Sequence, residues 1–257
     1  MTDPAPGRTH LAAPEAIGEL RRQRLRWARL YFVCEARPHG QDPEALLNAA
    51  MAAGAWMVEL RDREQPRGVI ERSGRTFRRL ADTYGALFIV NDDPHLAVEL
   101  RADGVHVGQD DMEPAEGRKV VGPDAIVGLS THSRQQIEAA ADEPVDYISV
   151  GPIWETPTKQ GRPGTGLDLI RTAAKVATRP WFAIGGIDTT NVGEVVGAGA
   201  ERICVVRAIR DSGDPRSAAT KLFRAVDPAA RESMRGRSDE ARARASATRD
   251  RSEERPV

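Results

Sequence analysis

The feature that most constrains the fold is a regular alternation of short apolar runs with helical segments. The apolar runs span residues 30–34, 56–60, 87–90, 104–107, 126–129, 147–150, 181–184 and 202–206. Helical patterns follow at residues 43–53, 75–84, 95–100, 134–141, 167–177, 190–197 and 215–225. Short buried strands that alternate with helices are typical of a parallel sheet. Eight such units in about 200 residues predict a single closed (β/α)8 TIM barrel.

An open, doubly wound sheet is the alternative α/β architecture for the same alternation. Its dinucleotide-binding form carries a GxGxxG motif directly after the first strand. No such motif follows the first apolar run of this chain. The closed barrel is therefore the preferred prediction.

The two ends of the chain differ in composition from this middle part. Residues 1–25 are rich in Pro, Ala and Arg, which predicts a flexible N-terminal arm with helix over residues 13–27. Residues 227–257 mix acidic with basic side chains and carry almost no large apolar ones, so they cannot form a core face. The sequence thus predicts a barrel domain at residues 26–226, followed by a disordered charged tail.

The charge balance and the cysteines exclude several classes of protein. A formal net charge of -1 gives no basis for binding to nucleic acid or to a membrane surface. Cys34 and Cys204 both fall in apolar runs, where buried thiols of a reducing compartment are expected. No apolar run approaches the ~18 residues of a membrane-spanning helix, and the polar N-terminus lacks the apolar region of a signal peptide. These features predict a soluble cytoplasmic protein, and whether it forms a homo-oligomer stays open.

The loop after residues 147–150 has the composition of an anion-binding loop. It begins with Gly151-Pro152 and carries Thr156, Thr158 and Lys159 before the next helical segment. In a TIM barrel, phosphate sites and catalytic residues lie at the carboxyl ends of the strands. Hydroxyl groups, a lysine and glycine backbone at such a position are suited to holding an anion.

The ends of three other apolar runs offer further groups for anions. Alternation places Glu59, Arg61 and Arg63 on one side of the chain, so two guanidinium groups can converge on one anion. A surface charge cluster would explain the same pattern. The seventh run ends in Gly185-Gly186 and the eighth in Val206-Arg207, where barrels of this type usually hold a phosphate.

Carboxylates at two neighbouring strand ends predict a cation site. The third run is followed by Asn91-Asp92-Asp93 and the fourth by Gln109-Asp110-Asp111. Mg²⁺ is typically bound by one or two carboxylates together with substrate phosphate oxygens. Helix capping explains each aspartate singly, but two at adjacent strand ends favour the metal. Together the anion and cation groups indicate phosphorylated substrates, either a pyrophosphate with a monophosphate or one doubly phosphorylated ligand.

The histidines and serines near the fifth run do not by themselves indicate one type of reaction. Ser130 and His132 stand close together, but no G-x-S-x-G elbow accompanies them, so acyl transfer is disfavoured. Hydroxyl groups offered to a phosphate or to a helix N-terminus are a sufficient explanation. A lone histidine inside a strand, such as His106, is more often a satisfied core residue than a catalyst.

Four segments in order and spacing resemble the thiamine phosphate synthase family. They are VNDDPHLAVELRADGVHVGQDDM, GLSTHS, YISVGPIWETPTKQGRPGTGLDLI and WFAIGGIDTTNVGEVVGAGAERICVVRAI. The resemblance covers residues 30–225 and is most specific in the T-x-T-K loop after VGPI. It implies a transferase that joins 4-amino-5-hydroxymethyl-2-methylpyrimidine diphosphate to a thiazole phosphate, releasing pyrophosphate. The family is understood to form a stabilised pyrimidine-methyl cation, which the thiazole nitrogen captures.

The resemblance also implies a role for each matched residue. The pyrimidine diphosphate would be held by Arg61, Arg63, Asn91 and Lys159, with Ser130 beside the pyrimidine and its leaving group. The residues implied for the thiazole phosphate are Thr156, Pro157, Thr158, Gly186, Val206 and Arg207. Asp92 and Asp111 would bind Mg²⁺. No general base is required by this route, because charge neutralisation and positioning make pyrophosphate a leaving group.

The chain departs from the family at three positions. Arg63 replaces a lysine, which keeps the charge and changes the geometry. Glu59 replaces a glutamine, and it would either accept a hydrogen bond from the pyrimidine amine or repel the diphosphate. Arg207 replaces a small serine and adds a positive charge suited to a phosphate.

Two other functions compete with the synthase. A thiazole tautomerase shares this barrel, but it needs none of the diphosphate and metal ligands that the chain retains, such as Asn91, Asp92, Asp111 and Lys159. A non-catalytic paralogue that binds thiamine precursors would account for the altered second run, with the charged tail as a partner-binding segment. Tight product binding without turnover would identify that case.

Overall fold

A computed structural model of the protein describes residues 14–156 and 163–232. Eight parallel strands pair in sequence order, and the eighth pairs with the first to close the barrel. The predicted (β/α)8 fold is therefore confirmed. The strands are β1 (Leu30–Cys34), β2 (Met57–Leu60), β3 (Leu87–Asn91), β4 (Gly104–Val107), β5 (Ile126–Thr131), β6 (Tyr147–Val150), β7 (Trp181–Ile184) and β8 (Ile203–Val205).

Helices connect the strands on the outside of the barrel. They are α1 (Pro14–Trp27), α2 (Glu44–Ala52), α3 (Arg67–Tyr84), α4 (Pro94–Glu99), α5 (Pro114–Val121), α6 (Arg134–Ala139), α7 (Gly166–Val176), α8 (Val192–Gly197), α9 (Arg207–Arg210) and α10 (Pro215–Val226). Three differ from expectation: α3 begins eight residues before the predicted position 75, and α5 and the four-residue α9 were not predicted as helices at all. Gly68 and Gly74 lie in the first half of α3 and Gly117 in the middle of the short α5, and glycine lowers the helix propensity of both segments.

Alternation along the strands sorts the apolar side chains into two layers. Phe32, Val58 and Phe88 face outward and pack beneath the helices. Tyr31, Met57 and Phe182 face inward and fill the barrel. Inward-facing positions nearer the carboxyl ends of the strands carry polar side chains, and these form the floor of the site described below.

Helix α1 lies across the amino ends of β4, β5 and β6. Arg21 pairs with Asp103 at 3.0 Å, and Arg22 pairs with Asp146 at 3.1 Å. Leu25 is buried and packs against the interior layer. The predicted boundary between arm and barrel after residue 25 falls inside this helix, and most of the predicted tail lies outside the described residues. The division into arm, barrel and tail stays a prediction.

None of the helices in the described parts of the chain combines the length and the apolar character needed to cross a bilayer.

Candidate active site

A cavity of about 340 Å³ opens at the carboxyl ends of the strands. Residues from several different strand ends line it, as expected for the catalytic face of a TIM barrel. The sequence-predicted site residues that line the cavity are Glu59, Arg61, Asn91, Ser130, Thr156, Gly186, Val206 and Arg207. These positions are far apart in the sequence, and the barrel brings them around one opening.

Asp92 and Asp111 lie together beside the mouth, next to Arg63. The Arg63 guanidinium contacts the Asp92 carboxylate directly, and its Nη2 atom lies 3.6 Å from Asp111 Oδ1. The predicted pairing of carboxylates from adjacent strand ends is thus realised geometrically. The described residues contain no cluster of three or more His, Cys, Asp or Glu side chains, so the protein offers a cation two carboxylates here.

The backbone shows that neither of these aspartates is a helix cap. Asp93 is the cap of α4, since its Oδ1 accepts a hydrogen bond from Leu96 N at 2.8 Å. Asp92 instead has a φ of 61° in the left-handed region, which turns it away from the helix. Asp111 Oδ2 accepts a hydrogen bond from Gly108 N at 2.9 Å. Asp111 itself lies two residues before Glu113, the residue that precedes α5. The capping explanation therefore accounts for Asp93 alone.

The electrostatics of this pair fit a divalent cation. Burial raises the pKa of Asp92, and the neighbouring Asp111 carboxylate raises it further, while Arg63 acts in the opposite direction. A bound cation would relieve the cost of ionising Asp92 next to Asp111. Their oxygen atoms are the hard ligands that Mg²⁺ prefers.

One side of β2 and of the turn after it carries Glu59, Arg61 and Arg63, in order from the cavity floor to its rim. Glu59 is 3% exposed and lies on the cavity floor, where its carboxylate contacts the Tyr31 hydroxyl. Arg61 is half-buried and lines the cavity wall, whereas Arg63 is exposed at the rim. The two guanidinium groups therefore face the mouth above a buried carboxylate.

Ser130 lies within β5 and is bonded to His106 rather than to His132. Its Oγ atom is 2.9 Å from His106 Nε2, and Ser149 Oγ lies 3.4 Å from the same hydroxyl. His132 Nδ1 instead contacts the Gly151 carbonyl. His106 is satisfied at both ring nitrogens, as the sequence suggested, and it also lines the cavity.

The opposite wall is formed by close backbone packing at the ends of β6, β7 and β8. A Cβ atom at Gly185 would lie 2.5 Å from Pro152 Cα, and Gly185 has a φ of 106°, so a side chain is excluded there. Asn191 Nδ2 donates to the Gly186 carbonyl at 2.8 Å and fixes this turn. Arg207 lines the cavity next to Asp188.

Asp188 is held as a charged group within this wall. The Thr190 hydroxyl lowers the pKa of Asp188, and backbone amides and the Arg207 charge act in the same direction against burial. Sequence reasoning missed Asp188, although it follows directly after the Gly185-Gly186-Ile187 turn.

The loop after β6 is described at both of its flanks. Thr156 is 9% exposed and lines the cavity, and Thr165 returns to β6 by donating from its backbone N to the Pro152 carbonyl at 2.8 Å. The predicted site residues Pro157, Thr158 and Lys159 lie outside the described residues.

Comparison with known proteins agrees with this geometry. A sequence model of the family described as "Thiamine monophosphate synthase" matches residues 30–209. The chain belongs to this family. It is therefore an enzyme, a transferase of thiamine biosynthesis.

The relatives cover the barrel almost completely. A thiamine-phosphate synthase of Acidothermus cellulolyticus is 46% identical over 197 residues, which span 76% of this chain and 93% of that protein. One from Thermus thermophilus is 48% identical, spanning 76% of this chain and 95% of that protein. The solved thiamine phosphate pyrophosphorylase from Pyrococcus furiosus has a TM-score of 0.71 at 29% identity, covering 80% of this chain and 96% of that one. The fold is also shared by a 3-hexulose-6-phosphate synthase. That structure is 15% identical with a TM-score of 0.56, and the match covers 77% of this chain and 100% of that one.

Proposed function

We propose that this family member condenses 4-amino-5-hydroxymethyl-2-methylpyrimidine diphosphate with 4-methyl-5-(2-phosphooxyethyl)thiazole, giving thiamine phosphate and pyrophosphate. The observation that carries the proposal is the Asp92–Asp111 pair, which contacts Arg63 beside the mouth of a cavity whose opposite wall contains Gly185 and Gly186. One side of the mouth is thus suited to a metal-bound diphosphate and the other to a phosphate monoester. These are the two charged groups that the two substrates carry.

The diphosphate would lie at the ends of β2 and β3. Arg61 and Asn91 line the cavity there, and Arg63 stands at its rim, so cationic and amide donors converge on one place. Guanidinium groups bind phosphate oxygens with two parallel hydrogen bonds, which fixes the orientation of the leaving group. We assign Lys159 to the same role.

Asp92 and Asp111 would hold Mg²⁺ at this position. A bound Mg²⁺ neutralises charge on the departing pyrophosphate and so makes it a better leaving group. Arg61, Arg63 and Lys159 supply further positive charge to the same oxygens. Bond cleavage at the pyrimidine methylene then takes a dissociative course, which needs electrostatic stabilisation rather than a general base.

The pyrimidine ring would enter the barrel above Glu59 and Ser130. Both side chains are almost fully buried on the cavity floor, so a bound ring is shielded from water there. Water exclusion protects a pyrimidine-methyl cation from hydrolysis until the thiazole nitrogen attacks it. The Glu59 carboxylate would accept a hydrogen bond from the exocyclic amine.

The thiazole phosphate would occupy the wall formed by β6, β7 and β8. Gly186, Val206 and Arg207 line this wall, with Thr156 beside them. The absence of a side chain at Gly186 allows close approach to the backbone, and Arg207 adds a positive charge. We assign Pro157 and Thr158 to the same phosphate.

The proposal is tested by mixing the purified protein with both substrates, with and without Mg²⁺, and measuring thiamine phosphate and pyrophosphate together. We expect equimolar formation of the two products, dependent on Mg²⁺ and strongly reduced in Lys159→Ala. Isomerisation of a thiazole carboxylate phosphate without condensation would identify a tautomerase instead. Tight binding of thiamine phosphate without turnover would identify a non-catalytic paralogue.

A further inference from the structure

A chain of hydrogen-bonded side chains crosses the barrel interior at the floor of the cavity. It begins at Glu59 on β2, whose carboxylate contacts the Tyr31 hydroxyl on β1. The Tyr31 and Tyr147 hydroxyl oxygens are 3.1 Å apart. Tyr147 Oη lies 2.9 Å from His106 Nδ1, and His106 Nε2 lies 2.9 Å from Ser130 Oγ. Five strands thus contribute to one buried path that ends at a serine of the cavity.

Counting the protons along this path gives it a direction. While Glu59 is ionised, its carboxylate only accepts hydrogen bonds, so Tyr31 uses its single proton on Glu59. The bond between the two tyrosines must then use the Tyr147 proton. Tyr147 consequently accepts from His106 Nδ1–H, and a neutral His106 is left with an unprotonated Nε2. That nitrogen accepts the proton of the Ser130 hydroxyl.

Burial keeps the protons of the two tyrosines in place. Both are almost fully buried, and burial, followed by the charge of Glu59, raises the pKa of Tyr31 and that of Tyr147 well above their ordinary value. In a low dielectric each bond of such a chain polarises the next, and reversing one bond requires reversing all of them. The Glu59 carboxylate at one end therefore fixes the direction in which the Ser130 hydroxyl at the other end donates its proton.

We propose that Tyr31, Tyr147 and His106 are positioning residues for Ser130. Because Glu59 accepts a hydrogen bond at one end of the chain, these three residues orient the Ser130 hydroxyl so that it donates its proton to His106. The Ser130 hydroxyl is held as a donor to His106 Nε2, and its oxygen, which also accepts from Ser149 Oγ, presents a lone pair rather than the proton to the cavity. The catalytic meaning of this arrangement rests on the proposed function: a lone pair, rather than an O–H dipole, faces the positive charge that develops at the pyrimidine methylene. No bond to Ser130 forms, and the effect is electrostatic.

The same argument gives a specific role to the carboxylate at position 59. An amide at this position could either accept from Tyr31 or donate to it, so both directions of the chain would be available. A carboxylate permits one direction only while it is ionised. The reverse chain, with a protonated Glu59 donating to Tyr31, would place a proton on His106 Nε2 and aim it at Ser130.

The tautomer of His106 tests the direction without any requirement for activity. Long-range ¹H–¹⁵N spectra distinguish a protonated ring nitrogen from a bare one, and loss of the signal in His106→Gln assigns it among the five histidines. We expect Nδ1 protonated and Nε2 bare in the wild type. Tyr31→Phe frees the Tyr147 proton to donate to Nδ1, so it should shift His106 towards the Nε2–H tautomer.

Tyr84→Phe provides the matched control. Tyr84 is 37% exposed on α3, and its hydroxyl bonds to Asn48, away from the barrel interior. Its loss should leave the His106 signals unchanged. An Nε2–H tautomer in the wild type, or an unchanged tautomer in Tyr31→Phe, would overturn the proposal even if the enzyme makes thiamine phosphate.

A double-mutant cycle tests whether the chain acts through Ser130. Tyr147 is buried and does not belong to the described residues that line the cavity, so its hydroxyl can influence catalysis only through its neighbours. Tyr147→Phe should lower kcat by roughly 2- to 150-fold, the factor that corresponds to the coupling energies between contacting groups, with little change in KM. In a Ser130→Ala background the same substitution should have no further effect on kcat. Additive losses would show a general structural role and contradict the proposal.

His106 provides a conservative pair of variants for the same cycle. Gln at this position can offer a carbonyl oxygen where Nε2 lies, whereas Asn reaches only the position of Nδ1. We therefore expect His106→Gln to retain more of kcat than His106→Asn. Equal losses in both variants would contradict a role for the Nε2 acceptor.

Discussion

Arg63 forms an ion pair with Asp92 across the ends of β2 and β3. The same guanidinium lies within 3.6 Å of Asp111, so one cation is shared by two carboxylates. A diphosphate and a divalent cation arriving together would replace these contacts, with Mg²⁺ taking the carboxylates and Arg63 turning to the phosphate. The free protein thus holds Arg63 and the two carboxylates in place through their mutual attraction.

The shape of Arg63 should matter for substrate affinity as well as its charge. Lysine keeps the positive charge but offers a single point donor in place of the planar fork. We expect Arg63→Lys to raise KM for the pyrimidine diphosphate by roughly tenfold, about the value of one charged hydrogen bond. Steady-state kinetics at saturating thiazole phosphate would measure this.

Arg67→Lys is the matched control for that experiment. Arg67 lies nearby on α3, where it pairs with Asp93, Glu71 and Glu99 and does not line the cavity. Its KM should stay close to that of the wild type. An equal rise in both variants would contradict a specific contact between Arg63 and the diphosphate.

Asp92 should limit the stability of the metal-free protein. Its pKa is raised in the folded state by burial and by Asp111. The unfolded chain has a pKa of about 3.9 for Asp. Because the folded pKa lies above this value, the protonated Asp92 contributes stability at low pH, and this contribution is lost as pH rises through the folded pKa. At neutral pH the ionised Asp92 therefore costs folding free energy, which Asp92→Asn removes.

Thermal unfolding without divalent cations would check this prediction. We expect Asp92→Asn to have a higher Tm than the wild type at pH 7, with the difference shrinking towards about pH 4, near the ordinary pKa of Asp. Asparagine also tolerates the left-handed backbone at this position. Added Mg²⁺ should raise the Tm of the wild type more than that of the variant. A lower Tm for the variant at both pH values would count against the account.

The interior of the barrel was the part least accessible to sequence reasoning. The eight strands were predicted within about two residues because each is a short apolar run bounded by polar or glycine residues. Glu59, Asn91 and Arg207 were predicted at the mouth because they follow or end such runs. Tyr31 and Tyr147 were missed as functional groups because an aromatic residue inside an apolar strand looks like core.

The path from Glu59 to Ser130 depends on the register of five strands. His106 pairs in register with Asn91 on one side and with Gly128 on the other, and a Cβ atom at Gly128 would lie 2.5 Å from its ring. Gly128 also pairs in register with Tyr147, so the missing side chain there lets the Tyr147 hydroxyl reach His106 Nδ1, while closure of the barrel brings Tyr31 to Tyr147. A usable signal did exist, since a polar residue at an inward position of an otherwise apolar strand is costly unless it is bonded.

Gly185 should be irreplaceable in the turn after β7. A side chain there would collide with Pro152 and would require a φ of 106° that non-glycine residues rarely adopt. Gly185→Ala should lower the free energy of unfolding by about 1–3 kcal/mol or more and reduce affinity for the thiazole phosphate. Gly193→Ala in α8 meets no atom within 4 Å and should be neutral or slightly stabilising. Urea denaturation of both variants tests the contrast, and equal effects would contradict it.

Asp103 should anchor α1 to the amino ends of the strands. Its buried carboxylate pairs with Arg21 at 3.0 Å and with Arg78 at 2.8 Å, and it accepts from Phe88 N at 2.9 Å. Asp103→Ala leaves two arginines without this partner and should cost about 3–5 kcal/mol of unfolding free energy.

Asp82 offers a control on the same guanidinium as Asp103. It pairs with Arg78 at 2.7 Å, but its side chain is 67% exposed. Asp82→Ala should therefore cost less than about 1 kcal/mol. Similar losses for Asp82→Ala and Asp103→Ala in urea denaturation would show that burial does not set the strength of these pairs.

The most direct test of the account is a Mg²⁺ titration of thiamine phosphate formation in the wild type, Asp92→Asn and Asp93→Asn. Asp92 belongs to the carboxylate pair, whereas its neighbour Asp93 caps α4, a role that asparagine fills equally well. We predict Mg²⁺-dependent product in the wild type and in Asp93→Asn, and a loss of product in Asp92→Asn that more Mg²⁺ does not restore. Product formation that ignores Mg²⁺, or that survives equally in both variants, would contradict the assignment of the metal-bound diphosphate to this site.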